Sequence, residues 1–358
     1  MDDRVIEDLA AWLPALLRSL EDLRVIARHL HPPELREVLD AVGPSDAALG
    51  MACSGLRNWP DSVGQIRARL DSASEAVLGA FKGLRLAAER PNGIRDAYRA
   101  LLRASAAQEI LYPLAAALPQ IDQFFLEPGH RDDPAVLSRQ SELGGGAASG
   151  VMHFDNEPGS RGGFSLYVPE FYTPDHSWPL VMALHGGSGH GRAFLWTWLR
   201  SARSHGAIVI APTAVGGTWA LMGDDVDTPN LSRMLDLVHG RWNVDPARRL
   251  LTGMSDGGTF CYASGLDAES QFTHLAPVAA SFHPLLAQFA DGDRMRDLPI
   301  YIVHGALDWM FSVEVARQAR RSLMAAGAHV MYRELDDLSH CYPIEINAEL
   351  LAWLSFSE

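Results

Sequence analysis

Arg249-Leu250-Leu251-Thr252-Gly253-Met254-Ser255-Asp256-Gly257-Gly258-Thr259-Phe260 is the stretch on which the reading of this chain turns. Leu250 to Thr252 have the composition of the end of a buried strand, and Thr259 to Ser264 that of the start of a helix. The Gly-x-Ser-x-Gly between them allows only a tight strand-to-helix turn. A serine on such a turn is held in a strained backbone conformation, with its hydroxyl pushed clear of the sheet edge. Side chains at Gly253 and Gly257 would collide with the neighbouring strand and helix. The Asp256 amide, at the helix N-terminus, faces any negative charge that forms beside the hydroxyl. A nucleophile that attacks carbonyls needs these features. The competing reading is a glycine-rich turn that merely contains a serine, and only the context separates the two.

Outward from this turn, strands and helices alternate. Val151 to Phe154 and Gly163 to Val168 read as a hairpin of two short strands joined by a loop containing Asn156-Glu157-Pro158-Gly159. Leu180 to Leu184, Ala207 to Ala211, His274 to Ala280, Ile300 to Val303 and His329 to Glu334 are further strands. Helices are expected over Phe194 to Ser204, Leu231 to Arg241, Val313 to Ala326 and Ala348 to Trp353. Continuous apolar strands alternating with helices imply a mostly parallel sheet covered on both faces. Sites in such sheets lie at the carboxyl ends of the strands.

Upstream the period is helical. Val5, Leu9, Trp12, Leu13, Leu16, Leu20, Leu23 and Ile26 recur at helical spacing until His31-Pro32-Pro33. Glu34 to Ala41 fits a short helix, and Ser62 to Leu86 and Gly93 to Leu118 fit long ones, the last broken near Pro113. Residues 1–126 therefore read as a small all-α bundle, residues 127–149 as a linker that includes Gly144-Gly145-Gly146-Ala147, and residues 150–358 as the α/β domain.

With 358 residues and 47% hydrophobic content the chain has the make-up of a soluble globular protein. A net charge of −14 with no basic run argues against nucleic acid and anionic membrane surfaces as partners. No apolar run approaches a membrane span, and the acidic start lacks the features of a signal peptide. Cys53, Cys261 and Cys341 are too few for a disulfide framework and point to a reducing cytoplasm. His29-Leu30-His31 lacks further ligands at useful spacing, so no metal site is expected.

Three further features fall at strand ends. His185-Gly186-Gly187-Ser188-Gly189 follows the Leu180 strand, and its glycines let backbone amides approach a substrate; Gly187 and Asp256 are the two expected donors to an oxyanion. A tight turn without a ligand is the alternative. Asp308, in His304-Gly305-Ala306-Leu307-Asp308, can fix and balance an imidazole, against the alternative of a helix cap; Asp336 and Asp337 are its rivals. His340 follows the last strand, with His283 its main competitor as general base. The order Ser, Asp, His is one of the orders known for nucleophilic acyl transfer.

His185-Gly186-Gly187, Gly253-Met254-Ser255-Asp256-Gly257-Gly258, Gly305-Ala306-Leu307-Asp308 and Ser339-His340 together resemble the α/β-hydrolase superfamily, and within it the phospholipase/carboxylesterase (serine esterase) family. The resemblance covers the chain after the linker. It implies an α/β-hydrolase fold preceded by an all-α helical N-terminal domain, with Ser255 as nucleophile, His340 as base and Asp308 as its orienter. Asp256 departs from the uncharged residue often found after the nucleophile, and a carboxylate there opposes an oxyanion unless it points away. The expected activity is hydrolysis of carboxylic esters with short to medium acyl chains through an acyl-enzyme, on a small-molecule ester, with no cofactor and no metal. Thioesterase, peptidase and acyltransferase chemistry share this machinery, and a non-catalytic binding module is the remaining alternative. Trp219, Trp309 and Phe311 are candidates to line an acyl pocket. The N-terminal helices are candidates for a lid, a scaffold or an interface between copies of the chain.

Overall fold

The computed structural model describes residues 3–55, 59–141 and 148–356, which fall into two compact units, Met1–Arg131 and Asp132–Glu358. The first unit is helical: α1 (Asp3–Arg28), α2 (Leu35–Val42), α3 (Ser45–Ser54), α4 (Gly64–Ala88), α5 (Ile94–Leu111) and α6 (Pro119–Phe124). The apolar stripe of α1 is buried from Val5 to Ile26, and Trp12 donates its indole N–H to Ser74 Oγ on α4 at 2.9 Å. Pro14 sits inside α1 on the exposed side, and Ala10, whose carbonyl it leaves unbonded within the helix, is exposed too. Helix α5 stops at Leu111 and Pro113 continues as a 3-10 turn. Helix α3 has no counterpart in the sequence reading. Its Ala, Gly and Ser residues carry almost no apolar period, and its one buried side chain is Leu49.

The second unit begins with α7 (Pro134–Ser141), inside the span read as a linker. Asp133 caps it by accepting the Ala135 amide at 2.9 Å, and Pro134 supplies a preset first helical residue, so the Asp-Pro pair is a helix start here. Gly144-Gly145-Gly146-Ala147 lie outside the described residues. There follow β1 (Gly150–Phe154), β2 (Phe164–Val168), β3 (Trp178–Leu184), α8 (Gly191–His205), β4 (Ile208–Pro212), α9 (Asp227–His239), β5 (Val244–Met254), α10 (Asp256–Gly265), β6 (His274–Val278), α11 (Leu285–Phe289), α12 (Gly292–Met295), β7 (Pro299–Gly305), α13 (Val313–Ala325), β8 (His329–Leu335) and α14 (Ile346–Phe356).

The eight strands form one sheet in the order β1-β2-β4-β3-β5-β6-β7-β8. The hairpin β1–β2 and the pair β2–β4 are antiparallel, and every other pair is parallel. The inner strands β3, β4 and β6 are buried along most or all of their length, which is why they read as unbroken apolar runs. Strand β8 is an edge, and its alternating exposure matches its mixed composition. Strand β6 ends at Val278, earlier than its apolar run suggests, because Ala279 takes a positive φ of 46° and turns the chain. Among the described residues no helix is long and apolar enough to cross a membrane.

Candidate active site

Strand β5 ends at Met254, α10 starts at Asp256, and Ser255 alone makes the turn, with φ 56° and ψ −120°. A non-glycine residue holds that conformation only when its surroundings impose it. They do so here. The Ser255 amide donates to the Val278 carbonyl at 2.9 Å. A Cβ at Gly257 would lie 2.5 Å from the His185 oxygen and 2.6 Å from the Leu184 oxygen, and one at Gly253 would lie 2.5 Å from the Gly257 carbonyl carbon. These obstacles are backbone and cannot step aside, so both glycines are fixed by close approach rather than by φ.

The loops after β7 and β8 are joined in the same way. A Cβ at Gly305 would lie 2.1 Å from the Leu338 oxygen, while the Ala306 and Leu307 amides donate to Leu335 and Leu338 at 2.9 and 3.0 Å. This stitching sets Asp308 beside His340. Nδ1 of His340 lies 2.9 Å from Asp308 Oδ2, and Nε2 lies 3.0 Å from Ser255 Oγ. A carboxylate can only accept, so Nδ1 carries the proton and Nε2 accepts from the hydroxyl. The other oxygen of Asp308 accepts the Met310 and Phe311 amides at 2.9 and 2.8 Å. Burial pushes the Asp308 carboxyl up, but the hydrogen bond and charge of His340 and the two amides outweigh it, and its pKa is lowered. All three side chains are buried, Ser255 at 7%, Asp308 at 8% and His340 at 3% exposure. The rivals lie apart: His283 is exposed with Nδ1 accepting the Leu285 amide, and Asp336 and Asp337 are exposed on their turn.

The loop after β3 lies against this elbow. His185 Nδ1–H donates to the Gly186 carbonyl at 2.7 Å and Nε2 accepts the Ala214 amide at 3.2 Å, so the neutral ring spends both nitrogens on the backbone. Burial lowers its pKa to about 4, against a small opposing effect of the Gly186 carbonyl. His185 braces the loop. Arg161 donates to the Gly189 carbonyl at 2.8 Å from outside it. Neither the Gly187 amide nor that of Asp256, the first residue of α10, is given an acceptor among the described residues, which suits both to an oxyanion. The Asp256 carboxylate lies against the Gly187 loop: Oδ2 would lie 2.6 Å from a Cβ on Gly187 and accepts the Thr218 hydroxyl at 2.6 Å.

Of the three pocket candidates, Trp219 is core. It is 2% exposed, stacks on Phe260 at 5.4 Å between ring centroids, and donates its indole N–H to the His185 carbonyl at 2.7 Å. The loop that carries Trp219 is polar and glycine-rich, and the buried indole anchors it. Phe311 and Trp309 meet the His340 imidazole edge to face, with centroids at 5.5 and 6.2 Å, and Trp309 is 43% exposed.

A single serine turning at positive φ between a central parallel strand and a helix, in a mostly parallel eight-stranded sheet flanked by helices, has the geometry of a nucleophile elbow. The second unit has an α/β-hydrolase fold. No protein-family model matches the chain. Over 164 residues it is 28% identical to the bifunctional acetylxylan esterase/xylanase XynS20E of Neocallimastix patriciarum, a stretch that makes up 44% of this chain and 23% of that protein. The chain thus spans less than a quarter of that relative. Among solved structures it is similar to a thermostable esterase, with a TM-score of 0.47 and 20% identity over 57% of this chain and 62% of that one. It is also similar to FphF, a fluorophosphonate-binding serine hydrolase of Staphylococcus aureus, with a TM-score of 0.47 and 16% identity over 60% of this chain and 100% of that one.

Two groups around the candidate site escaped the sequence reading. The Nε2–H of His304 donates to the Phe311 carbonyl at 2.9 Å, and Nε2 lies 3.5 Å from Asp308 Oδ2, bracing the acid turn. Thr218 reaches Asp256 across 38 residues, a pairing with no local signal. Buried imidazoles also bear on the acid response of the second unit. His185 and His274 are lowered by burial from 6.5 to about 4, so between those values the unfolded chain binds protons that the fold does not. Stability is expected to fall as pH drops through that window, by on the order of 3 kcal/mol for each ring. Asp308 acts lower down: its depressed pKa contributes stability present above the ordinary 3.8 and lost as pH falls through its folded value. Urea midpoints of the second unit taken from pH 7 to pH 4 check this; a flat profile would mean that both rings protonate freely in the fold.

Proposed function

We propose that the protein is a serine esterase that hydrolyses carboxylic esters with short to medium acyl chains. The observation that carries this reading is the hydrogen-bonded run from Ser255 through His340 to Asp308, at 3.0 and 2.9 Å, on the carboxyl edge of the sheet. The named likeness to a protein described as an acetylxylan esterase/xylanase supports ester hydrolysis as the class.

In the proposed mechanism Ser255 Oγ bonds to the ester carbonyl carbon while its proton passes to His340 Nε2. The carbonyl oxygen takes up the electron pair and is held by the Gly187 and Asp256 amides; losing one such donor costs roughly 3 kcal/mol of barrier. As the carbonyl re-forms, the bond to the alcohol breaks and His340 returns the proton to the leaving oxygen. Water then attacks the acyl-enzyme, again giving its proton to His340, and Ser255 leaves with it. Asp308 keeps the imidazole in the required tautomer and balances its charge. Phe311 and half-exposed Trp309 stand edge to face beside the imidazole, an apolar surface for the part of the ester that lies there.

The test is a series of nitrophenyl esters from acetate to palmitate, run beside matched amide and thioester substrates. Turnover is expected to peak among the shorter oxyesters. A preference for palmitate would reverse the chain-length assignment, and cleavage confined to the amide or thioester would replace the esterase reading.

A further inference from the structure

Asp256 contributes an amide to the proposed oxyanion site and, on the same residue, a carboxylate that the mechanism does not use. That carboxylate is fixed. Thr218 holds Oδ2 at 2.6 Å, and Thr218 stands on a stapled loop: buried Asp227 accepts the Val215 and Ala220 amides at 2.8 Å each, and Trp219 is locked to the His185 carbonyl at 2.7 Å. The same carboxylate lies in contact with Gly187, the other proposed donor, and Oδ1 has no donor among the described residues. A carboxylate set against one proposed donor and carried on the residue of the other repels an oxyanion. A cation placed against Oδ1 removes that repulsion.

His340 protonates the leaving alcohol in the proposed reaction, so the alcohol lies on the imidazole side. The Gly187–Asp256 side then faces the carbonyl oxygen and the acyl chain. We infer that the Asp256 carboxylate makes the esterase selective for esters whose acyl chain carries an ammonium group a few bonds from the carbonyl, and against those carrying a carboxylate there. The inference rests on the esterase reading and narrows its substrate class. The ammonium donates to Oδ1, neutralises the charge that opposes the oxyanion, and so acts on turnover as well as on binding.

Three nitrophenyl esters of matched length test it: the β-alaninate, the butyrate and the hydrogen succinate. In the wild type, kcat/KM is expected to fall in that order, with at least about tenfold between the first and the last. Asp256→Asn keeps the amide donor and an acceptor for Thr218, and is expected to bring the three within about threefold of one another, mainly by faster succinate cleavage. Asp256→Ala carries the same expectation should the asparagine variant not fold. A wild-type ratio under tenfold, or a ratio unchanged in the variants, overturns the inference and leaves the esterase reading standing. Failure of the wild type to cleave any of the three overturns both.

Discussion

Ser255→Ala is expected to leave no organophosphonate labelling and to lower ester turnover by roughly six orders of magnitude. The size follows from how the group acts. With the hydroxyl gone, His340 Nε2 has no proton to take, and the geometry that sets the imidazole against Ser255 at 3.0 Å and Asp308 at 2.9 Å has no bond to make. The fold has little reason to change. Alanine keeps the Cβ, and the backbone at φ 56° is held by the Val278 carbonyl and the glycines around it rather than by the hydroxyl. The variant should therefore melt close to the wild type, with a stability change under about 1 kcal/mol. Mass spectrometry of the probe adduct is the direct readout. Intact labelling of the alanine variant would end the assignment of Ser255 as nucleophile.

Asp308→Asn is expected to lower kcat by roughly four orders of magnitude with KM little changed. One oxygen of Asp308 accepts the Met310 and Phe311 amides, so the asparagine oxygen stays with those two donors. Its NH₂ group must then face His340 Nδ1. A donor there forces Nδ1 to accept, and the ring proton moves to Nε2, the atom that has to receive the serine proton. The volume of the side chain is unchanged, so a folded protein in the wrong tautomer is the expected product. Probe labelling should slow in parallel with turnover. Activity within tenfold of the wild type would mean that the imidazole does not depend on this carboxylate.

Both effects turn on residues that the sequence could name but could not bring together. Ser255 was legible because the elbow is local: Gly253 and Gly257 are required by backbone atoms that approach from adjacent segments, and the strand and helix on either side announce themselves by composition. The parallel sheet was legible because strands buried on both faces must be apolar throughout. Where local chemistry was thin the reading fell short. Helix α3 carries small residues with no stripe, and Asp133-Pro134 looks the same in a linker as at a helix start.

The sequence by itself determined most of the elements, their alternation and the tight turn that carries Ser255, because side-chain period and steric exclusion act within a few residues. Only the tertiary structure decided that His340 meets Ser255 across 85 residues and Asp308 across 32, that Trp219 is an anchor and not a pocket wall, and that Thr218 pins the Asp256 carboxylate against Gly187. These contacts depend on which strands lie side by side and on how the loops at their ends are stitched. That order is set by burial of the whole sheet, and no short stretch of the chain encodes it.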